Sequence, residues 1–179
     1  MVSEKARWYM ENDSGYWELS KVIPLIHAVV PSVVDLMDQL TNELGTYHFV
    51  ADLANAFFSI DLALKSQDQF AFTWEGRQWA FTVLPQGYLH SLTICHRLVA
   101  EDLAKWPQPP EVCLFHYIDA ILLTSDSLAE LVKVVPQVLS HLKPCGWAVN
   151  ETKLQGHGLS VKFLGVVWSS NTKVTLMWW

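Results

Sequence analysis

The sequence predicts an α+β fold. Apolar residues recur at steps of three and four in three separate stretches, as amphipathic helices require. Between them lie short β-branched and aromatic runs bounded by turn residues. The resulting order is helix, strand, hairpin, helix, hairpin, helix, strand, an α+β pattern. With 179 residues, the chain can bury about 70% of its unfolded surface, so a core needs neither metal nor disulfide. Hydrophobic residues make up 51% and charged residues 17%, which excludes wholesale disorder.

Residues 1–21 have no clear period and read as loop or damaged sequence. Ser32-Val33-Val34-Asp35 is a helix start: a capping hydroxyl with an acid three residues on. Val33, Leu36, Met37, Leu40 and Leu44 then share one face, and Gly45 is the expected stop. Residues 47–52 read as a short buried strand. Residues 70–74 and 78–83 form a hairpin around Glu75-Gly76-Arg77. Leu84-Pro85-Gln86-Gly87 is a turn, and Leu92, Cys95, Val99, Leu103 and Trp106 trace the helix after it, which Pro107 ends. Residues 112–117 and 121–124 are strands flanking Ile118-Asp119-Ala120. Ser127-Leu128-Ala129-Glu130 is a capping box. It opens a helix whose face is Leu128, Leu131, Val135, Val138 and Leu142. Pro136 inside that helix should cost about 3 kcal/mol or bend it. Residues 161–167 are the last strand.

Twelve Lys and Arg against eighteen Asp and Glu give a net charge of −6. A protein that holds nucleic acid by bulk charge is basic, so any such role here rests on a local site or on a basic region outside this chain. Nine tryptophans include Trp168, Trp178 and Trp179, an unusual composition for a solvated terminus. Cys95, Cys113 and Cys145 are too widely spaced for a metal knuckle, and the odd count follows no leader sequence. They read as buried free thiols, favouring a reducing intracellular compartment. The longest apolar run, residues 22–34, is broken by Pro24, His27 and Pro31. It falls short of the roughly 18 residues a membrane span needs.

Asp119 is a lone acid in the apolar string Leu114-Phe115-His116-Tyr117-Ile118-Asp119-Ala120-Ile121-Leu122-Leu123. Buried and unpaired, its carboxylate would cost several kcal/mol. It is therefore either a simple turn aspartate at the tip of a hairpin or a metal-binding carboxylate projecting from one. Asp52 ends another apolar strand. Two isolated acids at strand ends suit Mg²⁺, which takes hard oxygen ligands from one or two carboxylates plus substrate phosphates.

Val50-Ala51-Asp52-Leu53-Ala54-Asn55-Ala56-Phe57-Phe58 resembles the first catalytic motif of retroviral reverse transcriptases. Leu84-Pro85-Gln86-Gly87-Tyr88-Leu89-His90-Ser91 resembles their second conserved block. Tyr117-Ile118-Asp119-Ala120 stands where that family has Tyr-x-Asp-Asp. Gly146-Trp147-Ala148-Val149-Asn150-Glu151-Thr152-Lys153, followed by Val161-Lys162-Phe163-Leu164-Gly165, resembles the blocks that close the palm. The blocks come in family order, and the flavour is that of endogenous, gammaretrovirus-like Pol fragments.

The resemblance implies a palm, an antiparallel sheet backed by helices, with partial fingers. It divides the chain into a divergent fingers remnant (1–21), a fingers/palm domain (22–169) and a non-matching tail (170–179). It implies RNA-directed DNA polymerase activity on a template-primer of RNA or DNA and a dNTP, with no membrane. It implies two divalent ions, Mg²⁺ or Mn²⁺, held by three carboxylates. Asp52 and Asp119 carry over as catalytic metal ligands. The third position is Ala120, which has no donor atom and should cost about 4 kcal/mol of transition-state stabilisation, a thousandfold in rate.

By the same carry-over, Lys153 lies near the departing pyrophosphate. Leu53, Phe57, Gln86, Gly87 and Ile118 contact substrate, with Phe57 excluding a 2′-hydroxyl. Leu164 and Gly165 belong to a primer-gripping hairpin. Trp17 replaces a family arginine, and Leu92 replaces the proline usual after Ser91. The basic fingers segment has no match in residues 1–13. The thumb, connection and RNase H regions needed for full function would lie past Trp168, where nothing matches them. The resemblance leaves an impaired polymerase, an inactive remnant that binds nucleic acid or protein, or a fragment without selected function.

Overall fold

The computed structural model describes residues 16–24, 30–169 and 172–176. In chain order the elements are α1 (Trp17–Val22), α2 (Val33–Glu43), β1 (Tyr47–Ala54), the single turn α3 (Leu64–Gln67), β2 (Ala71–Trp74) and β3 (Arg77–Ala80). They continue with α4 (Ser91–Leu103), β4 (Cys113–Tyr117), β5 (Ala120–Ser125), α5 (Leu128–Leu142), β6 (Ala148–Val149) and β7 (Gln155–Gly158). β8 (Ser160–Phe163), β9 (Val166–Ser169) and β10 (Thr172–Leu176) complete the chain. The described residues fall into two compact units, residues 16–24 with 55–95, and residues 30–54 with 96–169 and 172–176.

The first unit holds the β2–β3 hairpin. Glu75 and Gly76 have φ of +49° and +72°, the left-handed pair of a two-residue turn whose twist matches its strands. The turn is thus one residue shorter than expected, and Arg77 opens β3 opposite Trp74. Phe70, Phe81 and Leu84 are buried, and Tyr16 and Tyr88 meet the Phe70 ring edge-on. The Ser91 hydroxyl donates to the Pro85 carbonyl at 2.6 Å, closing the turn that precedes α4. Residues 17–21, expected as loop, lie in α1, whose six residues are too few to display a period. The expected loop over 1–15 lies outside the described residues.

The second unit is built on an antiparallel sheet in the order β4-β5-β1-β6, with β7 also pairing with β1. Val50, Phe115 and Leu122 on one side join Leu36 and Leu40 of α2 and Val161, Phe163, Val166 and Trp168 in a single core. The alternating residues Phe49, Ala51, Ile121 and Leu123 are also buried. α5 packs on β1 and β5 through Leu131, Val134, Val135, Val138 and Leu142. Burial on both sides is why these strands read as unbroken apolar runs.

Ser32 caps α2 by accepting the Val34 amide at 3.2 Å. Gly45 does not stop the helix, because Leu44 already turns the backbone to extended angles (φ −69°, ψ 121°). Gly45 instead donates its amide to Thr124 Oγ1 at 2.9 Å, and a Cβ there would lie 2.6 Å from the Ser125 carbonyl carbon. Half of the Ser127 capping box forms: its hydroxyl accepts the Glu130 amide at 3.3 Å, while the Glu130 carboxylate pairs with Lys133. Leu128 is exposed, and Val134 takes its expected place in the buried face. Pro136 lies on the exposed side, and α5 runs unbroken from Leu128 to Leu142.

The strand expected over residues 161–167 is a hairpin, β8 and β9, turned by Leu164 (φ +53°) and Gly165 (φ +76°). Of the three cysteines, none in a disulfide, Cys95 is buried, Cys113 half-buried and Cys145 exposed. Among the described residues no helix is long and apolar enough to cross a membrane.

Because the α2–β1 connection lies against the β5 backbone, Gly45→Ala should lower the unfolding free energy by about 2 kcal/mol. Urea denaturation measures this. An unchanged midpoint would mean that the backbones do not approach so closely.

Candidate active site

Asp52 is placed by the β1–β5 register, which sets it opposite Ala120. β4 and β5 are joined by Ile118 and Asp119 alone, since Tyr117 pairs with Ala120. The Leu53 amide donates to the Asp119 carbonyl at 2.8 Å, and the Asn150 amide donates to the Asp52 carbonyl at 2.8 Å. The end of β1 is thus clamped on both sides. Asn150 also caps the short helical turn Glu151–Lys153, its Oδ1 accepting from the Thr152 amide at 3.2 Å and hydroxyl at 2.7 Å. That turn brings the Lys153 ammonium to 3.6 Å from Asp52 Oδ2. The Asp52 side chain is 30% exposed and that of Lys153 63%, so the pair is open to solvent and weak.

Asp119 is half-buried. Desolvation pushes its carboxyl above the usual range; its own backbone hydrogen bond lowers it, the Asp52 charge raises it, and Lys153 lowers it. Asp119 lies in the β4–β5 turn, as either reading of it expects, and the charges of Asp52 and Lys153 both act on its carboxyl group. Two acids and a cation meet where two strands and a helical turn end. Position 120 adds only a methyl group, and no cluster of three or more metal-ligating side chains occurs among the described residues.

The other candidates divide between the units. Ile118 begins the Asp119 turn with φ +57°. Leu53 is buried in the core of the second unit, with its amide engaged by Asp119. Leu164 packs against that core, and Gly165 is exposed at the β8–β9 turn. Phe57, on the helical turn Ala56–Ser59, and Gln86 are half-buried in the first unit; Gly87, also there, is exposed with φ +85°. Two residues of this region went unassigned in the sequence. Asn150 carried a signal, an Asn two residues before a Thr at the start of a turn. His96 carried none, since its partners are 20 and 22 residues away.

Residues 14–168 match the family model described as "Reverse transcriptase (RNA-dependent DNA polymerase)". The chain belongs to the reverse transcriptase family. It is 35% identical over 149 residues to the Gag-Pol polyprotein of Walleye dermal sarcoma virus, covering 82% of this chain and 8% of that protein. It is 31% identical over 163 residues to the Pol polyprotein of Feline endogenous virus ECE1, covering 87% of this chain and 16% of that protein. The chain thus spans a small part of these relatives. The native prototype foamy virus protease–reverse transcriptase is similar with a TM-score of 0.77 and 29% identity, over 87% of this chain and 20% of that one. The foamy viral enzyme in complex with dsDNA gives 0.78 and 28%, over 90% and 32%. The fold is that of a reverse transcriptase palm with partial fingers, and the retroviral character expected from the motifs holds.

Beneath the Asp119 turn of this reverse transcriptase domain, His96 and His116 stack with ring centroids 4.1 Å apart. Desolvation lowers both, and His116, next to His96, falls to about 4. His48, fully buried against Thr124 Oγ1 at 3.0 Å, is lowered by desolvation too. Each binds fewer protons folded than unfolded, so stability falls as pH drops below the unfolded value of 6.5. For His116 the loss extends to about pH 4 and reaches roughly 3 kcal/mol. Urea midpoints from pH 7.5 to 4.5 should fall with decreasing pH, and less steeply in His116→Gln.

Proposed function

We propose that this chain is the palm-and-fingers portion of an RNA-directed DNA polymerase whose ion site has lost one carboxylate, so that nucleotidyl transfer is severely impaired. The observation that carries this reading is the register that sets Asp52 opposite Ala120, beside the Asp119 turn. Two hard carboxylates fit one divalent ion completed by nucleotide phosphates; they do not fit two ions. A bound Mg²⁺ or Mn²⁺ would polarise the phosphoryl oxygens and lower the pKa of an attacking hydroxyl.

The chain's own residues would divide the remaining work. Asp52 and Asp119 supply the negative charge that attracts the ion. Lys153 neutralises part of it and is the cation available to a departing pyrophosphate. Ile118 is the candidate contact for the primer end, Leu164 and Gly165 for the primer strand, and Phe57, Gln86 and Gly87 for the nucleotide and template. Leu53 contributes through the backbone, since its side chain is buried. The partners proposed are a template-primer of RNA or DNA and a dNTP. The retained scaffold and the missing donor also support a second reading, a nucleic-acid- or protein-binding remnant without catalysis.

Titration with Mn²⁺ and primer extension on a short template at low salt test both readings. Ala120→Asp should tighten Mn²⁺ binding by about tenfold or more, through a third carboxylate. It should give little processive synthesis, because residence on the template needs many phosphate contacts and the chain is acidic. Efficient extension by the unaltered chain would overturn the impaired reading. Lys153→Gln removes the internal cation paired with Asp52, so Mn²⁺ binding should tighten by up to about fivefold, the limit for an exposed pair. Equilibrium dialysis measures it, and weaker binding would show that Lys153 does not compete with the ion.

A further inference from the structure

His96 sits on α4 and is buried. It meets the three consecutive residues that precede Asp119. Its ring stacks on His116 with an interplanar angle of 12° and lies tilted to the Tyr117 ring at 6.2 Å. Its Nδ1 accepts the Ile118 amide at 3.2 Å. In return, His116 Nε2 donates to the His96 carbonyl at 3.2 Å. These roles assign the protons: His96, accepting at Nδ1, is neutral with its hydrogen on Nε2, and His116 carries a hydrogen on Nε2.

The turn needs such a hold. Two-residue hairpin turns favour Asn or Gly where φ is positive, and here a β-branched isoleucine occupies that position at +57°. A β-branched residue is a genuine outlier there and persists only when its surroundings over-determine it. The amide of the first turn residue also lies outside the ladder, so a buried acceptor elsewhere must satisfy it.

We propose that His96 is a positioning residue for Asp119: by accepting the Ile118 amide it fixes the two-residue turn and the direction in which the Asp119 carboxylate projects beside Asp52. The proposal rests on the reading of Asp52 and Asp119 as an ion site. His96 touches neither carboxylate, and its effect passes through the backbone.

The test uses the full chain and three variants. His96→Leu keeps the bulk and removes the acceptor. His96→Gln keeps an acceptor of similar reach. His96→Asn keeps polarity with too short a reach, and replaces His96→Leu should that variant fail to fold. The readouts are Ile118 amide hydrogen exchange by NMR, with Leu122 of β5 as internal reference, and Mn²⁺ affinity by paramagnetic relaxation. Loss of one hydrogen bond should speed Ile118 exchange by about threefold to tenfold relative to Leu122 and weaken Mn²⁺ binding by a similar factor. His96→Gln should recover most of both. Unchanged Ile118 exchange overturns the proposal. So does uniformly faster exchange across β4 and β5 that His96→Gln does not relieve, because that marks packing alone. Faster Ile118 exchange with unchanged Mn²⁺ affinity overturns it too. Failure of the ion-site reading is separate: Mn²⁺ binding in the unaltered chain would then be indifferent to Asp52→Asn, while Ile118 exchange would still report whether His96 holds the turn.

Discussion

The pairing of β1 with β5 is the constraint on which the second unit depends. It runs from Tyr47 opposite Ser125 to Asp52 opposite Ala120 without a break. Every other strand of that sheet attaches to one of these two. A slip of one residue would exchange the Val50 and Leu122 set for the Ala51 and Ile121 set on each face. It would also carry Asp52 away from the Asp119 turn. Burial on both sides therefore does more than stabilise the sheet. It fixes the register, and the register sets the spacing of the acids.

The acids are tolerable only because they sit where the ladder ends. Asp52 lies at the last β1–β5 pair and Asp119 in the turn beyond. One residue further into β1, a carboxylate would sit at position 51, buried opposite Ile121. Partial burial still leaves Asp119 desolvated and its carboxyl raised, which costs stability whenever the group is ionised. The second clamp comes from the opposite direction. Asn150 holds the Asp52 carbonyl with its amide and the Lys153 turn with its side chain, so cation and carboxylate share one anchor.

Much of this was legible in the sequence because it is local. The Ser32 and Ser127 caps, the α4 period through Cys95, Val99 and Leu103, and the isolation of Asp52 and Asp119 among apolar residues are all patterns within a few positions. What was illegible depends on contacts between distant segments. Gly45 looks like a helix stop, yet its need for glycine comes from Ser125. Leu128 looks like part of the α5 face, yet Val134 takes the buried place. The β8–β9 turn passed as continuous strand because Leu164 is an unexpected residue at positive φ, and Gly165 beside it was the missed signal. Leu53 sits in a motif whose resemblance suggested substrate contact, and only the fold shows that its side chain is buried, leaving its backbone as the part available.

Ala120 is where the demands of the scaffold and those of the proposed chemistry part. It occupies a regular β5 position, paired with both Asp52 and Tyr117, and an alanine there satisfies every backbone requirement of the sheet. Nothing in the folding of β4, β5 or the turn calls for a carboxylate at 120. A carboxylate at 120 would add like-charge repulsion around Asp119, where Asp52 already acts in that sense. An alanine there is thus neutral or favourable for the fold, and on the proposed reading it leaves the ion one ligand short. The aspartates that remain are held by register, by the Asn150 clamp and by the His96 contact under Ile118, none of which depends on an ion. On the proposed reading, burial and backbone pairing keep the geometry of Asp52 and Asp119, while the charge they present is smaller by the one carboxylate that position 120 does not supply.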